Sequence, residues 1–189
     1  MNEFLSPKPN QENLPIKVEV ATLNDWEDCK NLRIEEISGK DSEMFGFFAK
    51  EDLEKEQNKN KEDWQRRLSQ DNEFFVLSRV NSQAVGFGNA MKKDNNLWRI
   101  RWGFVKEKFR GHGIQKKIII LRLKEILKRG GKIVESGVVA KNEKSFKNLT
   151  EIGFKIADTH MIREEIYSYT MTVDLSDPEI IKNINNFVI

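Results

Sequence analysis

The sequence predicts an α+β fold: a mixed, mostly antiparallel sheet of about six to seven strands flanked by helices. Three observations lead there. Residues 73–80, 84–91 and 97–105 are rich in β-branched or aromatic side chains and are separated by Asn81-Ser82 and by residues 93–96, which reads as an antiparallel meander. Residues 104–140 run from the end of a strand through a glycine-containing loop and an amphipathic helix to a further strand, and a crossover helix sets the two strands parallel. A strand and helix near the start and a hairpin near the end complete the layers. The chain of 189 residues is the size of one domain, with residues 1–13 read as a mobile tail, 14–175 as the folded domain and 176–189 as a C-terminal extension.

In chain order, the first 13 residues hold Pro7 and Pro9 without periodicity. Ile16, Val18 and Val20 alternate with Lys17 and Glu19, the pattern of a half-buried strand. Asn24, with Glu27 three residues on, predicts an N-cap and a helix that turns Trp26, Cys29, Leu32 and Ile37 inward. Residues 39–70 are the least legible. Met44, Phe45, Phe47 and Phe48 suit either core or the mouth of a site, and Leu53, Trp64 and Leu68 suggest one helix over residues 52–68 whose charges form a solvated face. After the meander, Ile114, Ile118, Ile119, Leu121, Leu123, Ile126 and Leu127 make an apolar stripe on a helix ending at Gly130-Gly131, with Lys116, Lys117, Arg122, Lys124, Lys128 and Arg129 on its other side. Residues 133–140 form a strand. Asn142 caps a second helix that buries Phe146, Leu149 and Ile152 and stops at Gly153, before the final hairpin of residues 154–160 and 166–174.

The chemistry concentrates at Arg110-Gly111-His112-Gly113-Ile114-Gln115. Gly111 and Gly113 permit a tight turn with φ > 0, and the first N–H groups of the following helix lack acceptors and sit at the positive end of its dipole. An anion fits there. The dinucleotide fingerprint would need a third glycine near Lys116, and the ATP loop would need Gly-Lys-Ser/Thr, so neither applies.

This loop resembles the coenzyme-A pyrophosphate loop of the GNAT (general N-acetyltransferase) superfamily, an Arg/Gln-x-x-Gly-x-Gly/Ala pattern after a strand. Gln115 stands where that family usually has a small residue, and is accommodated with its side chain outward and only its N–H facing the phosphate. Asn142-Glu143-Lys144-Ser145, closing in Gly153-Phe154, is similar to the family's second signature, whose helix flanks the pantetheine. The resemblance spans roughly residues 15–175. It implies strands that splay after the glycine loop to admit an acyl chain, and transfer of an acetyl group from acetyl-CoA to a primary amine by direct attack in a ternary complex, without a metal. Phe104, Val105, Arg110, Gly111, His112, Gly113, Ile114, Gln115, Asn142 and Ser145 would line the cofactor. Backbone N–H groups of 111–115 would serve the diphosphate, and the Val105 backbone the thioester oxygen. Arg110 either pairs with phosphate or supports the loop, and His112 reads as a solvated loop side chain.

The resemblance does not supply an acid or base. Many members place a Tyr four residues before the Gly-Phe to protonate the departing thiolate; here it is Leu149, and residues 97–105 hold no acidic side chain. Tyr167, Tyr169 and His160 remain as weak candidates, the two tyrosines sharing a face with Met171 and Val173 that suits core packing. A different class stays open: a non-catalytic acyl-CoA-binding or regulatory module on the same fold. Cys29 has no evident activating partner and reads as packing. A net charge of +2 is too small to indicate a nucleic-acid binder by itself, and amphipathic helices often carry a cationic solvated face, so nucleic acid is not expected. No apolar run approaches a membrane span, the first residues lack the pattern of a secretory signal, and one cysteine fits a reducing compartment, so the cytoplasm is expected. The acceptor amine, small molecule or peptide, and the assembly state, a homodimer included, are left open.

Overall fold

The computed structural model describes residues 14–40, 50–163 and 166–189. The expected tail of residues 1–13 and the cluster from Met44 to Phe48 lie outside the described residues. Among the described residues seven strands form one sheet: β1 (Ile16–Val20), β2 (Glu73–Val80), β3 (Gln83–Lys92), β4 (Leu97–Val105), β5 (Ile133–Val139), β6 (Lys155–Arg163) and β7 (Ile166–Asp174). Their order is β1-β2-β3-β4-β5-β7-β6, antiparallel at every junction except β4–β5. The helices are α1 (Trp26–Ser38), α2 (Lys50–Asn58), α3 (Lys61–Leu68), α4 (Ile114–Lys128), α5 (Glu143–Ile152) and α6 (Pro178–Asn186).

The period of two along β2 shows why the sheet is covered on both sides. Phe74 and Val76 join the larger core beneath α4, α5 and α6, whereas Phe75 and Leu77 join a second core with Cys29, Leu32 and Trp64 beneath α1 and α3. Cys29 is fully buried, and that burial, with Asp25 and Asp28 nearby, pushes its thiol far above the usual range. It is packing material, as expected.

Local chemistry overrode pattern in three places. The cap before α1 is Thr22 with Asp25, not Asn24 with Glu27: the Thr22 amide donates to Asp25 Oδ2 at 2.7 Å and opens a 3₁₀ turn over Leu23–Asp25. The single helix expected over 52–68 is two, because Asn60 and Asp63 form their own capping box, with the Asp63 amide donating to Asn60 Oδ1 at 2.9 Å, and restart the chain as α3. The charges of that stretch are also not only a solvated face: Glu56 is 5% exposed and pairs with Lys59 at 2.6 Å. Further on, Asp177 caps α6, whose Ile184 is buried, and Phe187 and Ile189 pack on the core, so residues 176–189 lie against the domain. Among the described residues no helix is long and apolar enough to cross a membrane.

Candidate active site

Strands β4 and β5 begin as neighbours and then part. Their parallel pairs run Leu97–Ile133, Trp98–Val134, Arg99–Glu135 and Ile100–Ser136. Past Ile100, β4 stays paired only with β3 and, past Ser136, β5 only with β7. The split thus begins inside β4 rather than beyond the glycine loop. It opens a cavity of about 1080 Å³.

A bulge shapes the β4 side. Asn89 pairs with Arg101 and Phe87 with Phe104, so Trp102 and Gly103 together oppose Gly88. Trp102 takes φ +55°, a conformation that costs a bulky residue about 1–3 kcal/mol unless its surroundings hold it. Arg122 is part of what holds it. Its Nη1 donates to the Asn89 and Arg101 carbonyls, both at 3.1 Å, and its Nε to the Ile118 carbonyl at 3.3 Å. Gly88 makes the room, since a Cβ there would stand 2.8 Å from the Arg122 Cζ. Arg122 is 2% exposed and lines the cavity; it does not lie on the solvated side of the helix where its charge suggested it. Burial pulls its guanidinium down to about 9. Its position was readable: residue 122 follows Ile118 by four and Ile119 by three, inside the apolar stripe.

The glycine loop closes one end. After a 3₁₀ turn over Glu107–Phe109, Gly111 takes φ +87° and Gly113 φ +71°, the latter capping α4, whose first turn carries no acidic residue. Arg110 Nε donates to the Val105 carbonyl at 3.0 Å, tying loop to strand end, and Arg110 also lines the cavity. Phe104 and Gln115 line it as well; Val105, Gly111, His112, Gly113 and Ile114 do not contribute to the lining. Gln115 corrects an expectation. Its side chain turns into the cavity instead of outward, because Asn148 Nδ2 donates to its Oε1 at 2.9 Å and Gly103 leaves space opposite.

On the β5 side, Asn142 and Ser145 line the cavity, with Asn142 Oδ1 accepting from the Ser145 amide at 3.1 Å as the cap of α5. Leu149 lines it too and is 2% exposed. His160 reaches the cavity from β6, its Nδ1 4.0 Å from Asp158 Oδ2. From β7 the lining residues are Ser168 and Thr170, so the alternation of the strand turns Tyr167 and Tyr169 to the opposite face. Tyr169 packs on Phe146 with ring centroids 5.5 Å apart. Tyr167 is 50% exposed, not core, because it lies opposite the exposed Met161 on the outer hairpin.

No sequence motif marks the wall formed by α1 and β4. Glu35, Glu36, Ser38 and Gly39 from the end of α1 face the cavity with Arg101 and Trp102. Three guanidinium groups surround the Trp102 ring: Arg33 and Arg101 at 4.3 Å and Arg67 at 4.6 Å from its centroid. Arg33 pairs with Glu36 at 2.5 Å, Arg67 with Glu73 at 2.7 Å, and Arg101 with Glu73 at 3.3 Å. Arg99 pairs with Glu135 across the closed junction. Among the described residues no group of three or more His, Cys, Asp or Glu is placed to hold a metal ion.

Comparison with known proteins places this architecture. A sequence search among curated proteins finds no match. Among solved structures the chain is similar to the PaiA N-acetyltransferase of Thermoplasma acidophilum in complex with coenzyme A, at 19% identity and a TM-score of 0.66, over 84% of this chain and 98% of that one. It is also similar to yncA of Salmonella typhimurium, solved with its cofactor acetyl-CoA (11% identity, TM-score 0.68, 86% and 95% covered). A third is the ribosomal-protein-alanine N-acetyltransferase of Brucella melitensis (16%, 0.68, 84% and 99%). At these identities the likeness shows the fold. The family model described as the acetyltransferase (GNAT) domain matches residues 35–175, and the chain belongs to the GNAT acetyltransferase family.

Proposed function

We propose that the chain moves an acetyl group from acetyl-CoA to a primary amine held in the same cavity. The observation that carries this is the junction of two features: a glycine-capped helix N-terminus without acidic residues, and, flanking it through Arg110 and Gln115, a cavity opened where β4 leaves β5. Acetyl-CoA supplies the activated acetyl thioester. The chain supplies the rest. The N–H groups of residues 111–115 receive the diphosphate, where a helix N-terminus favours negative charge. Arg110 holds the loop through the Val105 carbonyl, and the Val105 N–H is the donor assigned to the developing oxyanion. Asn142 and Ser145 border the pantetheine arm, while Phe104 and Leu149 exclude water along it.

Leu149 donates no proton, and the tyrosines of β7 face away from the cavity. The thiolate leaves unassisted: a thiol of pKa near 8.5 is a fairly stable leaving group. Positioning and ordered water then provide for its protonation. Two measurements test the reading. Titration calorimetry is expected to show acetyl-CoA binding to the purified chain, and a thiol assay to show CoA release with members of a panel of polyamines, aminoglycosides, amino acids and N-terminal peptides. Binding without release from any of them supports the non-catalytic module instead.

A further inference from the structure

Among the described residues four carboxylates line the cavity, and three of them are committed or open to solvent. Glu35 is 46% exposed and pairs with Lys106 at 3.2 Å; Glu107 is exposed; Glu135 is held by Arg99 at the closed junction. The fourth, Glu36, comes from the last turn of α1 and has a side chain 15% exposed. Arg33 donates to its Oε2 at 2.5 Å, which fixes the carboxyl while the second oxygen can take up a proton. The charged groups facing it are Arg33 on its own helix, Glu56 from α2 and Arg122 from α4. Beyond Arg33, Arg101 of β4 and Arg67 of α3 stand around Trp102. Burial raises the Glu36 carboxyl above the ordinary range, and Arg33 and Arg122 pull it back only in part. Arg122 is the same side chain that braces the β4 bulge, so Glu36 is coupled to the point where the two strands separate.

Resting on the acetyl-transfer reading above, we propose that Glu36 is the group that takes the proton from the acceptor amine, with Arg33 and Arg122 as the residues that position it. An alkylamine is an ammonium ion at neutral pH and cannot attack until a proton leaves it. In the step, one ammonium proton passes to the Glu36 carboxylate and frees the nitrogen lone pair, which forms the C–N bond to the acetyl carbon; the C–S bond breaks with its electron pair leaving on sulfur, and the second proton lost as the amide forms passes through ordered water to that thiolate. Glu36 later returns its proton to solvent. A base with a raised pKa is suited to this, since proton transfer is most effective when the base is poised near the working pH.

The test uses the full chain, Glu36→Gln and Glu36→Asp, with n-butylamine and hydroxylamine as probes. Hydroxylamine is unprotonated at neutral pH and needs no base. Glu36→Gln is expected to leave acetyl-CoA affinity within about threefold and to slow CoA release with n-butylamine by about a hundredfold or more, leaving the hydroxylamine rate nearly unchanged. Glu36→Asp recovers part of the n-butylamine rate and keeps its loss at low pH. Independently of turnover, the carboxyl-carbon NMR signal of Glu36 in the ligand-free chain, assigned by its disappearance in Glu36→Gln, is expected to titrate above the ordinary glutamate value of about 4.3. Equal losses with both amines, or none with either, overturn the assignment, as does a titration at or below the ordinary value. A wild-type chain that binds acetyl-CoA yet releases no CoA with either probe or with any member of the amine panel overturns the transfer reading itself, and one that does not bind acetyl-CoA overturns the cofactor reading.

Discussion

The two walls of the cleft are built from different material. The side proposed for the cofactor is backbone: a loop of six consecutive residues that closes one end of the cleft, two of them glycines at φ +87° and +71°, ending in the bare N-terminus of α4. The opposite wall is side chain: Glu36, Arg101 and Arg122 line it from α1, β4 and α4, backed by Arg33, Glu56, Arg67 and Glu73 from α1, α2, α3 and β2, with Arg33, Arg67 and Arg101 set around the Trp102 ring. A backbone site must be contiguous, and the conformations it demands leave glycines in the sequence. A side-chain site has no such requirement. Its members are ordinary charged residues until the fold brings them together, and their cost is desolvation, which each repays only through its partners.

The contrast can be broken at either wall. The largest effect is expected from Gly113→Glu, which places a side chain at φ +71°, costing about 1–2 kcal/mol, and a carboxylate where the diphosphate would bind. Space is not limiting, because nothing stands within 4 Å of a Cβ there. Acetyl-CoA affinity should fall more than about a hundredfold in a chain that still melts cooperatively, measured by calorimetry; unchanged affinity removes the backbone wall from the cofactor. Next comes Arg122→Leu, which leaves the Asn89 and Arg101 carbonyls without their donor beside a strained Trp102. Urea unfolding should show a loss of about 2–3 kcal/mol. Arg122→Lys, which keeps the charge without the two-pronged donor, should recover less than half of it. Full stability in Arg122→Leu means the bulge holds itself.

Asn142→Asp sharpens the comparison at a residue that belongs to both kinds of construction. Asp caps as well as Asn, so the melting temperature should hold, while a new negative charge beside the cofactor should weaken acetyl-CoA binding by about tenfold. A lower melting temperature with unaltered binding leaves Asn142 as a cap alone. The smallest effects belong to Tyr167→Phe and Tyr169→Phe, whose hydroxyls are carried on the far face of β7. CoA release should stay within about twofold of wild type, and a hundredfold loss in either, the scale of a positioned acid, refutes leaving-group departure without a side-chain acid.

Much of the architecture was legible because it is local. The meander, the crossover and both helix starts at Gly113 and Asn142 follow from periodicity, turn residues and caps within a few positions of one another. The failures share a cause, which is a partner distant in sequence or a competing local bond. Gln115 turned inward to meet Asn148, 33 residues away. Arg122 was sorted with its charged neighbours although its helical position was apolar, since only Asn89 and Arg101, on strands it crosses, explain a buried guanidinium. Glu36 carries no motif at all. Tyr167 and Tyr169 alternate identically in sequence, and only the extent of the covering helix separates the exposed one from the packed one.

The β4–β5 junction has a consequence for how the molecule comes apart. Four residue pairs, Leu97–Ile100 against Ile133–Ser136, are all the strand pairing that joins β1–β4 to β5–β7 among the described residues. Each side closes its other ladders within itself, so the two parts of the sheet meet in strand pairing only at a short parallel seam. Amides along that seam are placed to exchange through a partial opening well below the free energy of global unfolding, ahead of those in the β2–β3 ladder. A ligand spanning both banks of the cleft acts as a rivet across this line, and its binding energy appears as slowed exchange there first.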